Sequence, residues 1–123
     1  MARILVIEDD EKMREALVQT LLKLGHEVAQ EPNGRAGLAR AAHWLPELVI
    51  TDLIMPEKEG LETIVELRSG NPEIRIIAMS GGGRLSNSDF LNIALKLGAQ
   101  GTLAKPFTRE ELREAIGAAL GAG

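Results

Sequence analysis

The chain has no cysteine and no tyrosine, and its only aromatic side chains in 123 residues are Trp44, Phe90 and Phe107. Without cysteine there are no disulfides and no thiolate metal sites, and nothing points to an oxidising compartment. With so few aromatics the core must be aliphatic. No apolar run approaches the roughly 20 residues that a membrane span requires. The N-terminus enters a strand-like segment without the charged and apolar regions of a leader. Basic residues are scattered over a chain of net charge −4, so no concentrated basic face offers itself to nucleic acid. These absences predict a soluble, cytoplasmic protein that contacts neither membrane nor nucleic acid directly.

What is present is a regular alternation of two patterns. Short, nearly continuous apolar runs predict strands at Arg3 to Ile7, Glu27 to Gln30, Glu47 to Thr51, Ile74 to Met79 and Gly101 to Ala104. Helical spacing lies between them. Met13, Ala16, Leu17, Thr20, Leu21 and Leu24 share one face of a helix over Glu11 to Leu24, with Gly25 as its terminator. Pro32-Asn33-Gly34 opens a helix to about His43. Leu61 to Arg68 reads as a third helix, closed by Ser69-Gly70-Asn71-Pro72, and Ser86 to Leu97 as a fourth, stopped by Gly98. Thr108 and Glu111 form a capping box at the head of the fifth. Gly81-Gly82-Gly83 reads as a mobile loop, since a glycine run is costly to order.

Five such βα units predict a single α/β domain over residues 1–123. Strands this apolar are buried on both faces, which argues for a parallel sheet with helices on either side. Right-handed crossovers make it a doubly wound sheet. Ligands of such sheets sit beyond the C-terminal strand ends, and that is where the charge is. Ile4-Leu5-Val6-Ile7 runs into Glu8-Asp9-Asp10, Leu48-Val49-Ile50-Thr51 into Asp52, and Leu103-Ala104 into Lys105-Pro106.

Acids at neighbouring strand ends must be neutralised. Two carboxylates about 5 Å apart repel by roughly 3 kcal/mol at an effective dielectric near 20. A hard divalent cation removes that repulsion, and Mg²⁺ suits two or three protein oxygens because it keeps several waters. Asp10 and Glu11 are explained as well by the helix N-terminus, where acids are favoured by the dipole. Lys105 would bring a point charge over the same edge. A Lys105–Pro106 bond in the cis form would aim it inward. Ser80 supplies a hydroxyl donor and Gly81 a backbone amide.

Taken together, Ile4 to Asp10, Asp52-Leu53-Ile54-Met55-Pro56 with Gly60, Ser80-Gly81, Gly98-Ala99 and Lys105-Pro106-Phe107 resemble the response-regulator receiver domains of bacterial two-component signalling. The resemblance covers essentially the whole chain. It implies a flavodoxin-like (βα)5 fold with strand order 2-1-3-4-5. It implies Asp52 as phosphoacceptor, and Mg²⁺ held by Asp9, Asp52 and the Ile54 main-chain oxygen, with Glu8 acting through water. Lys105, Ser80 and the Gly81 amide would bind the phosphoryl group. The implied partners are a sensor histidine kinase or histidine phosphotransfer protein upstream, and downstream another protein or a C-terminal effector domain absent from these residues. Such a chain is a signalling switch and not an enzyme acting on a separate substrate.

Three features qualify the resemblance. Thr102 stands where the family usually carries Tyr or Phe, so the usual switch pair of strand-four hydroxyl and strand-five aromatic is reduced to Ser80 and Thr102. Output is then expected to run through the glycine loop and helix four, with beryllofluoride shifting amide signals mainly from Ser80 to about Leu97. A receiver-like module that binds partners without phosphorylation is the alternative reading. Ile54 and Gly82 offer no polar group to orient a water, which predicts slow self-dephosphorylation. Helix four has more apolar residues than one buried stripe needs, among them Phe90, Leu91, Ile93 and Leu95, which suggests a patch for a partner or a phosphorylation-linked second copy. Trp44 is expected to cap the apolar end of helix two, with His26 and His43 on the surface. Other aspartyl chemistry fits less well. A haloacid-dehalogenase-like phosphatase needs an acid where Ile54 stands, a flavodoxin needs a hydroxyl-rich first loop, and Gly81-Gly82-Gly83-Arg84 lacks the Gly-Lys-Ser/Thr of a P-loop.

Overall fold

Each strand alternates its side chains between two apolar layers, and this places the helices. Ile4, Val6, Leu48, Ile50, Ile77 and Met79 point to one face, where Leu17, Leu21, Leu112 and Ile116 cover them. Leu5, Ile7, Val49, Ile76 and Ala78 point to the other, against Ile64, Leu67 and Ala94. The computed structural model describes residues 2–53, 59–81 and 87–121, with backbone alone for Glu59 and residues 87–91. In chain order the elements are β1 (Arg3–Ile7), α1 (Glu11–Lys23), β2 (Glu27–Glu31), α2 (Gly34–Trp44), β3 (Leu48–Asp52), α3 (Glu59–Gly70), β4 (Arg75–Ser80), α4 (Asn87–Lys96), β5 (Gly101–Ala104) and α5 (Arg109–Gly121). All pairings are parallel, in the order β2-β1-β3-β4-β5. Helices α1 and α5 cover one face, and α2, α3 and α4 the other. This is the doubly wound, flavodoxin-like sheet that the sequence predicts.

Local chemistry sets the element ends. The Asp10 carboxylate caps α1 by accepting from the Met13 N–H, and Asn33 caps α2 by accepting from Ala36. The capping box of α5 is reciprocal, with Thr108 N–H donating to Glu111 Oε1 at 2.8 Å and Glu111 N–H to Thr108 Oγ1 at 3.0 Å. Gly25 and Gly98 follow α1 and α4 at φ of 95° and 111°, which glycine adopts without strain. Gly37 lets α2 close on the sheet. A Cβ there would lie 2.3 Å from Ile7 Cδ1.

Several boundaries differ from expectation. Helix α3 begins at Glu59 rather than Leu61 and runs to Gly70, because Ser69 and Gly70 extend the final turn before Pro72 ends it. Strand β2 reaches Glu31, whose carbonyl accepts from Glu8. Strand β3 spans Leu48–Asp52, so Asp52 is its last residue. The expected loop at Gly82-Gly83 and the Met55-Pro56 turn lie outside the described residues.

Trp44, the last residue of α2, packs half-buried against the core as expected of a cap on its apolar end, with the Arg3 guanidinium 4.5 Å from its ring centroid. One surface expectation is corrected. His26, expected on the surface, is half-buried, because its Nδ1 accepts the Ala2 N–H at 3.1 Å and so ties β1 to the α1–β2 turn. His43 is exposed as expected. On α4, Ile93 and Leu95 are exposed and Ala94 is buried. Phe90 and Leu91 fall among the residues described by backbone alone.

At the sheet edge where β4 and β5 begin, Arg68 forms a clamp. Its Nη1 donates to the carbonyls of Pro72 and Ile74, and its Nη2 to Gly98 O at 2.7 Å and Gln100 Oε1 at 3.1 Å. Gln100 Oε1 also accepts the Ile76 N–H at 2.8 Å. One side chain thus joins α3, β4 and the α4–β5 turn.

Candidate functional site

Parallel register brings the charged strand ends to one edge. Ile7 pairs with Thr51 and Asp52 with Met79, so Glu8 follows β1 at the level of Asp52. Ser80 pairs with Ala104, which brings Lys105 out beside them. Main-chain bonds carry the ladder past the strands, with Leu53 N–H donating to Met79 O at 2.8 Å and Lys105 N–H to Ser80 O at 2.7 Å. Gly60, in the first turn of α3, presses on the end of β3. A Cβ there would lie 2.6 Å from Leu53 O and 2.9 Å from Asp52 O.

Carboxylate oxygens of Glu8, Asp9 and Asp52 lie within 4.8 Å of one another. Glu8 is wholly buried and Asp52 is 3% exposed, whereas Asp9 faces solvent. The Lys105 ammonium bridges the two buried acids, at 2.5 Å from Glu8 Oε1 and 2.9 Å from Asp52 Oδ2. The Lys105–Pro106 peptide is cis. Ser80 is buried at the end of β4. Gly81 is half-buried beside the Lys105 stem, and a Cβ on it would make ordinary van der Waals contact with Lys105 Cδ at 3.5 Å. Thr102 is half-buried opposite Ala78. Ile54 lies outside the described residues.

The electrostatics follow from three acids sharing one ammonium. Partial desolvation at the rim of the cluster raises the Asp9 carboxyl above its ordinary range, and the hydrogen bond with Glu8 and the Glu8 charge raise it further. Burial alone would push Lys105 down, but its hydrogen bonds to Glu8 and Asp52, with their charges, outweigh that and raise it. The cluster therefore holds more negative charge than it neutralises. Hard oxygen donors at these separations, with Asp9 open to solvent, suit a small divalent cation that keeps part of its water shell.

Sequence reasoning passed over Arg14. Its Nη1 donates to the Glu8 carbonyl at 2.8 Å and its Nε to Gln30 Oε1 at 3.0 Å, bracing the end of β1 against β2. Nothing in the local pattern distinguishes Arg14 from a solvated helix residue. Asp10 is the helix cap foreseen for it, and its N–H donates to Glu8 Oε2 at 3.1 Å.

Comparison with known proteins agrees with this geometry. The response regulator receiver domain family matches residues 4–117. The transcriptional regulator NtrC of Azospirillum brasilense is 37% identical over 97% of the chain, which spans only 24% of that protein. The chemotaxis protein CheY of Thermotoga maritima is 33% identical, with 93% of each chain covered. Sporulation initiation phosphotransferase F of Bacillus subtilis is 31% identical over 93% of this chain and 90% of its own. Among solved structures, a receiver domain protein from Clostridium thermocellum superposes with a TM-score of 0.90 at 30% identity, covering 99% of this chain and 96% of that one.

Proposed function

The chain belongs to the response-regulator receiver domains of two-component signalling, and from that premise we propose that it accepts a phosphoryl group on Asp52 in a Mg²⁺-dependent reaction and switches partner binding. The observation that carries the reading is Asp52 itself, a nearly buried carboxylate paired with Lys105 beside two further acids. A carboxylate attacks a phosphoryl dianion poorly unless charge is cancelled and the approach is in line. Asp52 Oδ forms the new P–O bond as the P–N bond of a donor phosphohistidine breaks, and the leaving imidazole takes a proton. Asp9, Asp52 and the Ile54 carbonyl would hold Mg²⁺, with Glu8 acting through a water. When bound, the cation neutralises charge that builds on the transferred oxygens. Lys105 offers an ammonium to one phosphoryl oxygen, Ser80 a hydroxyl and Gly81 an amide to others.

The partners under this reading are a histidine kinase or phosphotransfer protein, and an output protein or effector domain. The long NtrC relative and the short CheY relative bracket the two arrangements. Residues 1–123 form the single receiver unit, working in the cytoplasm. Among the described residues no helix is long and apolar enough to cross a membrane. Ser80 and Thr102 make up the switch pair, and a second copy docking on α4 would be linked to phosphorylation. Ile54 and Gly82 leave an attacking water without a side-chain partner, so the phosphorylated form decays slowly, and Ile54→Asn accelerates that decay in excess Mg²⁺.

Acetyl phosphate tests the reading. Mass spectrometry should show one phosphoryl increment that requires Mg²⁺ and vanishes in Asp52→Ala. An increment that persists in that variant, or none in the wild type, would leave the phosphorylation-independent module in its place.

A further inference from the structure

Every polar group of Glu8 is engaged. Its N–H donates to Glu31 O at 3.1 Å, and its carbonyl accepts from Arg14 Nη1 at 2.8 Å. Oε2 accepts the Asp10 N–H at 3.1 Å, and Oε1 accepts from Lys105 Nζ at 2.5 Å. The side chain is fully enclosed. Strand β2 and Arg14 therefore fix the Glu8 main chain and the Asp10 N–H holds one carboxylate oxygen, while Lys105 reaches the other on a flexible stem from 97 residues away.

We propose that Glu8 is a positioning residue that acts through Lys105, holding the ammonium as a pivot while its other contact changes from Asp52 to the phosphoryl group. The inference rests on Asp52 being the phosphoacceptor, and it assigns Glu8 a task other than orienting a metal-bound water. An ammonium carries three donors. One is held by Glu8 Oε1 and a second by Asp52 Oδ2. Phosphorylation removes the full charge of Asp52 and with it the second contact. A lysine without Glu8 would then be a free chain to be ordered anew, whereas a tethered ammonium has only to turn about its remaining bond. A Glu at this position, one methylene longer than Asp, reaches Lys105 while its backbone stays in the β1 ladder.

The test is a double-mutant cycle on phosphoryl uptake from acetyl phosphate, with Mg²⁺ varied, using wild type, Glu8→Gln, Lys105→Met and the double variant. Glu8→Gln should lower the rate at saturating Mg²⁺ about tenfold, yet less than about twofold in the Lys105→Met background, because it acts through that lysine. Equal losses in both backgrounds would overturn the proposal. So would a raised Mg²⁺ half-saturation with an unchanged saturating rate, the signature of a water-mediated metal contact. A second readout needs neither metal nor turnover. The Lys105 ammonium, followed by ¹⁵N NMR without Mg²⁺, should stay protected from solvent exchange in Asp52→Asn and lose protection in Glu8→Gln. Protection lost in Asp52→Asn alone would identify Asp52 as the holder and refute the pivot. The Asp52→Asn arm is informative even if Glu8→Gln folds poorly. Uptake that survives Asp52→Ala would refute the phosphoacceptor reading and leave the NMR comparison to judge Glu8.

Discussion

The two ends of the sheet handle charge in opposite ways. Where β1, β4 and β5 begin, cations meet carbonyls, a carboxylate and a ring face. Arg68 spreads its guanidinium over three carbonyls and Gln100, and Arg3 lies on Trp44 with its Nε 3.5 Å from Glu27. Where β1, β3 and β5 finish, three carboxylates crowd around one ammonium and remain in excess. The contrast sets an end whose cations are engaged by acceptors against an end whose carboxylates outnumber the ammonium beside them. A closed clamp gains nothing from an added ion, whereas an acid cluster relaxes when one arrives.

Separating the two ends by mutation gives the largest effects. Asp52→Ala should abolish phosphoryl uptake while leaving the metal-free fold intact, because it removes one of the mutually repelling acids. Arg68→Ala should do the reverse. Stripping the Pro72, Ile74 and Gly98 carbonyls of a charged donor should cost about 2–4 kcal/mol in denaturant unfolding. Uptake per folded molecule should stay near wild type. A large loss of uptake in a folded Arg68→Ala protein would mean that the ends are coupled.

A smaller effect is expected from Asp9→Asn. In chelator its melting temperature should match or exceed that of wild type. Mg²⁺ at a hundredfold excess over its dissociation constant should stabilise wild type by about 2.7 kcal/mol and the variant by far less. A wild type indifferent to millimolar Mg²⁺ would remove the cation from the site.

The subtlest contrast is in pH dependence without metal. Asp9 has its folded pKa raised above 3.8 by partial desolvation and by Glu8, so the folded protein holds that proton more tightly than the unfolded chain. Stability from this group is present at low pH and declines as pH rises from 3.8 through the folded value. His26 has its folded pKa pushed below 6.5, first by burial and then by the N-terminal charge, against an opposing pull from Glu47. Its contribution is present above 6.5 and is lost as pH falls through that value towards the folded one. A protonated Nδ1 could no longer accept the Ala2 N–H. Asp9→Asn and His26→Gln should each flatten their own limb in thermal melts over pH 3.5–8 at low salt (~10 mM), where charge effects are least screened. A limb that survives its variant would assign it to another group.

Much of the charged end was legible beforehand because strand ends carry their own signal. An apolar run that stops at Glu8, Asp52 or Lys105 marks both the strand and the edge where its side chain emerges. The capping box at Thr108 and the stop at Gly25 are likewise local bargains between a side chain and its nearest backbone. The other end was not legible. Arg68 looks like any basic residue in the last turn of a helix, and its acceptors include groups 30 and 32 residues away. His26 was misplaced on the surface for the same reason, since its partner is the backbone of Ala2.

Amino-acid order alone determined the alternation of elements, the parallel doubly wound class and the set of charged residues at strand ends, because periodicity and capping act within a few residues. Only tertiary structure decided that Glu8 holds Lys105, that Asp9 stays in solvent while Asp52 is buried, and that Arg68 closes the opposite edge. These depend on strand register and helix packing. Such contacts join residues far apart in the chain, and the free energy that selects among them belongs to the whole fold.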